Sequence, residues 1–234
     1  MYHLLSGLYT HLTRKETYSV IIIGLDNAGK TTLLEQIKHH YNPNTPSPDV
    51  SKIAPTVGQG VGKISLPSTI LQFWDLGGQR DIRSIWSKYY EECHAVVYVV
   101  DAADEARLEE GWEVFESVLE SPQTMNLPLL LLANKQDAPG SLSSTDIRES
   151  YERWSQARLQ ASITAASARA DNETLETGAD ALGGGLHERQ VVGLEGRAGS
   201  LEVLGASALN GTNVREVVDW LYIRVQNSRR IEDR

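Results

Sequence analysis

The feature that most constrains this chain is an eight-residue run, Gly24-Leu25-Asp26-Asn27-Ala28-Gly29-Lys30-Thr31, directly after the apolar stretch 18–23. Its spacing, G-x-x-x-x-G-K-[ST] between a strand and a helix, lets backbone N–H groups converge on phosphate oxygens at a helix N-terminus. In that arrangement Lys30 reaches the terminal phosphates, the Thr31 hydroxyl ligates Mg²⁺, and Thr32 follows into the helix beside the nucleotide. The motif sits where a strand gives way to a helix. The motif by itself fits kinases, ATPases and GTPases.

The rest of the chain extends the pattern. Apolar runs at 71–74, 95–100, 127–133 and 201–204 read with little alternation, as strands buried on both faces do in a parallel sheet covered by helices. Helix-like stretches at 30–40, 82–90, 106–119, 144–159 and 214–226 separate them, giving a doubly wound α/β domain. Residues 63–66 begin a further strand, which Pro67-Ser68-Thr69 turns into the next as an antiparallel edge hairpin. The region 163–199 departs from this plan. No Phe, Trp or Tyr occurs from Ser155 to Asp219, and seven of the 19 glycines lie between Gly178 and Gly199. A segment so poor in core formers reads as a flexible insertion, with its Ala-rich start able to form a transient helix. The domain organisation expected is an N-terminal amphipathic helix at 1–15 and one domain at 16–234 interrupted by that insertion.

Two further motifs sit where the next strands end. Asn134-Lys135-Gln136-Asp137 follows an apolar strand, and the Asp137 carboxylate can accept from both the ring N–H and the exocyclic amine of guanine. Adenine offers neither donor at those positions, so GTP is expected over ATP and a small-molecule kinase using ATP is disfavoured. Trp74-Asp75-Leu76-Gly77-Gly78-Gln79 ends another strand, placing Asp75 to hold Mg²⁺ through water, the Gly78 N–H near a γ-phosphate, and Gln79 to orient an attacking water as the catalytic residue. Between the phosphate loop and that motif, Thr56 of Pro55-Thr56-Val57-Gly58 is positioned to close over the metal when a γ-phosphate is present.

These four motifs, in this order, resemble the Arf-like small GTPases. The opening Met1-Tyr2-His3-Leu4-Leu5-Ser6-Gly7-Leu8-Tyr9 is similar to the Golgi-acting Arf-related subgroup. The resemblance implies a P-loop GTPase fold, bound GTP or GDP with Mg²⁺, and slow hydrolysis without an activating protein. It further implies an exchange factor, effectors of the GTP state, and a loop at Ser207-Ala208 whose backbone N–H groups contact the guanine carbonyl. Gln59-Gly60 replaces the Phe-Asn usual in the family, which bears on the choice of effector. The remaining alternative is a GTP-binding scaffold that does not cycle.

Composition decides the surroundings. Lys plus Arg number 22 against 31 Asp plus Glu, a formal net charge of −9, so nucleic acid is not expected as a partner. One cysteine, Cys93, fits a reducing compartment, and no apolar run approaches a membrane span, leaving a cytoplasmic protein with peripheral membrane contact. Leu4, Leu5, Leu8 and Leu12 share one face of the first helix. Tyr2 excludes the glycine that N-myristoylation requires. The subgroup resemblance implies in its place N-terminal acetylation, read by a Golgi membrane receptor.

Overall fold

The computed structural model describes residues 15–42, 44–173 and 201–232. The expected helix at 1–15, apart from Lys15, and most of the expected insertion, 174–199, lie outside the described residues. Six strands form one sheet in the order β2-β3-β1-β4-β5-β6: β1 (Glu16–Ile23), β2 (Gln59–Ser65), β3 (Thr69–Leu76), β4 (Ala95–Asp101), β5 (Leu129–Asn134) and β6 (Glu202–Gly205). Every pairing is parallel except β2 with β3, where Gln59 faces Leu76 and Ser65 faces Ile70. The α/β class and the antiparallel edge hairpin are therefore as expected, although β2 starts at Gln59 rather than Lys63. Gly60 and Gly62 have poor strand propensity, and pairing along the full length of β3 overrides it.

Helices cover both faces. α1 (Lys30–Tyr41) and α5 (Val214–Glu232) bury Leu33, Leu34, Ile37, Val217 and Leu221 against Val20, Ile22, Val97 and Leu132. On the opposite face, α2 (Ser87–Tyr90), α3 (Leu108–Leu119) and α4 (Ser144–Glu173) bring Tyr90, Trp112, Phe115, Ile147 and Tyr151 onto Ile21, Val96, Tyr98 and Leu131. β4 is buried on both sides from Ala95 to Val100, which is why its sequence shows no alternation. The stretch 82–90, expected as one helix, is a 3₁₀ turn at Arg83–Ile85 followed by the single turn of α2. α4 runs on to Glu173, through the Ala-rich 161–170, where Ala residues with no Gly or Pro favour helix at little entropic cost. Residues 161–165 and Ser167 are all exposed there.

This topology places the site. β1 is flanked by β3 on one side and β4 on the other, and chain connections diverge on either side of it. A crevice therefore opens beyond the carboxyl ends of β1, β3 and β5, and all four motifs gather there.

Candidate functional site

The loop after β1 turns through Asn27 at φ 63° and Gly29 at φ 89°, and Gly29 caps α1. A side chain at Gly29 would be strained by that backbone and would strike Asn134 Nδ2, so glycine is required. Asn134, 1% exposed, donates from Nδ2 to Ala28 O at 2.7 Å and accepts at Oδ1 from Ala208 N at 2.9 Å. One side chain thus ties the loop after β1 to the loop after β6. Lys135, at φ 64°, pairs with Asp101 at 2.6 Å. Asp137, exposed at the rim, accepts a short hydrogen bond from the Ser207 hydroxyl. Ser207 and Ala208 are buried, and the loop is held by Ser207 N to Thr212 O at 3.1 Å and Gly211 N to Ser207 O at 2.9 Å. Asn134, Asp137, Ser207 and Ala208, predicted from two separate segments, therefore form one connected unit.

At the other end of the crevice three oxygens meet. Thr31 Oγ1 donates to Asp75 Oδ2 at 2.6 Å, Thr56 Oγ1 donates to the same atom at 3.1 Å, and the two hydroxyls lie 2.8 Å apart. Asp75 is buried at the end of β3, and its other oxygen, Oδ1, has no hydrogen-bond partner. Burial pushes its carboxyl up, opposed by the Thr31 hydrogen bond and by Lys30. Two hydroxyls and a carboxylate with an unused oxygen match the hard oxygen donors Mg²⁺ prefers. Among the described residues no group of three His, Cys, Asp or Glu gathers to hold a metal alone. A divalent ion at this point would rely on Thr31, Thr56 and Asp75 together with water and phosphate oxygens.

Lys30 is 6% exposed, and its ammonium donates to Leu25 O at 2.6 Å. Burial pulls its pKa down to about 8, against the attraction of Asp75 and Asp26. Gly78 closes the cradle from the β3 side. A Cβ there would fall against Gly24 O and lie 2.5 Å from both Asp26 N and Lys30 Nζ. The cavity between these parts has a volume of about 360 Å³ and is lined by Lys30, Thr31, Thr32, Thr56, Gly78 and Gln79, among others. Gln79 is exposed at its mouth.

Sequence reasoning missed an ionic cluster on the edge of this cradle. Arg107 donates to Asp26 Oδ1 at 2.8 Å and to Glu110 Oε2 at 3.0 Å, while Arg83 donates to Glu110 Oε1 at 2.8 Å and to Gly78 O at 2.7 Å. The hydrogen bond from Arg107 holds Asp26 below the usual carboxylate range, and that from Arg83 does the same for Glu110. Only the Arg107–Glu110 pair, three positions apart, has a local spacing; Asp26 and Arg107 are 81 positions apart and Arg83 and Glu110 are 27 apart.

Comparison with known proteins shows the family and the fold. The model of the ADP-ribosylation factor family matches residues 4–185. ADP-ribosylation factor-related protein 1 of Homo sapiens is 49% identical over 151 residues, covering 64% of this chain and 75% of that protein. ADP-ribosylation factor-like protein 3 of Saccharomyces cerevisiae is 35% identical over 231 residues, 98% of this chain and 96% of that protein, so the alignment spans the segment 163–199. Among solved structures, the Arl6 BBS3 small GTPase from Trypanosoma brucei with bound nucleotide analogue GppNp superposes with a TM-score of 0.63, covering 91% of this chain and 99% of that one. At 23% identity that likeness speaks for the fold.

Proposed function

This chain belongs to the ADP-ribosylation factor family of small GTPases, which bind and hydrolyse GTP, and we propose that it is a Mg²⁺-dependent switch recruiting effectors to Golgi membranes. The observation that carries the metal-dependent part is the convergence of Thr31, Thr56 and Asp75 within 2.6 to 3.1 Å of one another, with Asp75 Oδ1 unused. Thr31 comes from the start of α1, Thr56 from the loop before β2 and Asp75 from the end of β3. Thr31 and Thr56 would hold such an ion between the phosphate loop and the loop carrying Thr56, coupling the position of that loop to the state of the nucleotide.

In this reading the backbone of 24–31 and the Lys30 ammonium hold the phosphates, and the Gly78 N–H faces the γ-phosphate. Mg²⁺ held by Thr31, Thr56 and Asp75 would supply charge neutralisation to the phosphates. Gln79 orients the attacking water, Asp137 accepts from the guanine edge, and the Ala208 loop donates to its carbonyl. Lys135, fixed by Asp101, lies beside the base. An exchange factor, an activating protein and effectors follow from small-GTPase membership. Recruitment to the Golgi is read from the resemblance of the segment 1–15, whose acetylated end would be recognised by a membrane receptor.

The test has two arms. Thr31→Asn should weaken GTP more than GDP in the presence of Mg²⁺, and normal GTP loading would remove Thr31 from the metal site. Tyr2→Pro, which blocks the acetylation, should release the protein from Golgi membranes in cells without changing its GTP affinity. Persistent Golgi staining of that variant would overturn the membrane mechanism.

A further inference from the structure

Gln79 lies exposed at the mouth of the cavity, and among the described residues no hydrogen bond to its side chain fixes it. Whatever aligns it must act through its backbone. The two peptide units leading into it are both pinned. Trp86 Nε1 donates to Gly77 O at 2.9 Å, and Arg83 Nε donates to Gly78 O at 2.7 Å. In a trans peptide the carbonyl and the following N–H point in opposite directions, so fixing the oxygen fixes the N–H as well. Trp86, 3% exposed, thereby sets the direction of the Gly78 N–H. Arg83 sets the next unit, which carries the Gln79 N–H and delivers the Gln79 Cα.

Arg83 is itself held in place. Its side chain is 13% exposed, and while Nε meets Gly78 O, the terminal nitrogen meets Glu110 Oε1 on α3 at 2.8 Å and lies 3.8 Å from Asp26 Oδ1. Arg107 takes the other oxygen of Glu110, Oε2, and shares Asp26 Oδ1 with Arg83, and its Nη1 also donates to Asp26 O at 3.3 Å. Two cations and two anions thus close a ring that runs from the phosphate loop, through α3, to the carbonyl of Gly78. The planar fork of guanidinium is what permits Arg83 to serve Gly78 O and Glu110 at once, and an ammonium on a lysine stem has no such fixed fork.

We propose that Arg83, braced by Glu110 and Asp26, is the positioning residue for Gln79, acting through the Gly78–Gln79 peptide rather than by touching the nucleotide. The proposal rests on the reading of Gln79 as the water-orienting residue. It makes the ionic ring part of the hydrolytic machinery: the phosphate loop that receives GTP and the residue that aims the water share one set of ion pairs.

The test is a double-mutant cycle on the full-length protein. Single-turnover GTP hydrolysis is measured for wild type, Arg83→Ala, Gln79→Leu and the double variant, together with GDP dissociation and amide hydrogen exchange at residues 78–82. Arg83→Ala should slow hydrolysis about tenfold or more, speed exchange at the Gln79 amide, and leave GDP dissociation within about threefold. The double variant should hydrolyse no more slowly than Gln79→Leu alone, because Arg83 acts only through that side chain. Arg83→Lys should recover little, and Glu110→Gln, which keeps the shape of the brace and loses its charge, should give an intermediate loss. An unchanged rate in Gln79→Leu would defeat the underlying reading of Gln79. A slowed Gln79→Leu beside an unaffected Arg83→Ala, or losses that multiply in the double variant, would defeat the positioning role while leaving that reading intact. If Arg83→Ala fails to fold, the Glu110→Gln rate and its exchange at residue 79 decide the question.

Discussion

The buried Lys30 ammonium makes a prediction that separates stability from function. Without nucleotide, burial takes its pKa from 10.5 to about 8. At ~1.4 kcal/mol per pKa unit, keeping that charge in the fold costs about 3 kcal/mol at neutral pH. Because the folded value lies below the unfolded one, the penalty is complete below pH 8 and is relieved as pH rises from 8 to 10.5, where the unfolded chain binds the extra proton. Lys30→Met removes the titration while keeping an unbranched stem of similar size. Urea unfolding of both proteins, stripped of nucleotide, should therefore show the wild type gaining on the variant by about 2 kcal/mol between pH 7 and pH 9.5. At pH 7 the variant should be as stable as wild type or more so, the relieved charge offsetting the Leu25 carbonyl left without its 2.6 Å donor, at ~1–3 kcal/mol. The same substitution should reduce GTP and GDP affinity by about 100-fold, since it removes a charge-assisted donor to phosphate. A stability difference that does not change with pH would refute the reasoning, for it would mean that Lys30 is not held as a desolvated cation.

Other perturbations follow from the same geometry. Asn134→Ala strands the Ala28 carbonyl and the Ala208 N–H, and should cost about 2–5 kcal/mol in urea unfolding with a parallel loss of nucleotide affinity; a loss below about 1 kcal/mol would contradict the coupling of the two loops. Gly78→Ala places a methyl group against Gly24 O, Asp26 N and Lys30 Nζ, so GTP should weaken at least tenfold relative to GDP in a competition titration; equal effects on both would show that Gly78 does not face the γ-phosphate. Asp137→Asn should turn the preference from guanosine toward xanthosine triphosphate, whose added ring carbonyl accepts where the guanine amine donates, and a retained preference for GTP would take Asp137 out of base recognition.

How much of this was legible in the sequence follows from where information is local. The phosphate loop, Asp75, Gly78, Asn134 and Asp137 each lie at a strand end, and the buried strands β4 and β5, with the Val20–Ile23 half of β1, announce themselves as apolar runs. A parallel sheet then brings those ends together, so motifs far apart in sequence could be placed in one crevice before any coordinates. Elements set by pairing or by single turns were harder to read. β2 hides behind Gly60 and Gly62 because its strand character comes from β3, and 82–90 carries helix-forming residues that the pinning of Gly77 O by Trp86 splits into a 3₁₀ turn and a short helix. The end of the helix after β5 was misplaced because no glycine or proline marks a stop before Glu173. The ring of Arg83, Glu110, Arg107 and Asp26 shows locally only as the i,i+3 pair Arg107–Glu110; its links to Asp26 and Arg83 join distant segments that meet only once the chain has folded.

The central claim is that this chain is a guanine-specific switch that turns itself off by hydrolysis. The most direct test loads purified full-length protein with GTP and Mg²⁺ in a hundredfold excess of ATP. The bound nucleotide is then followed over time, with and without a cell extract as the source of activating protein, for wild type and Gln79→Leu. Wild type should retain guanine nucleotide only and convert bound GTP to GDP in a single exponential that the extract accelerates, while Gln79→Leu keeps its GTP under both conditions. Displacement by ATP would contradict guanine recognition at Asp137, and GTP persisting in the wild type with extract present would contradict the cycle itself.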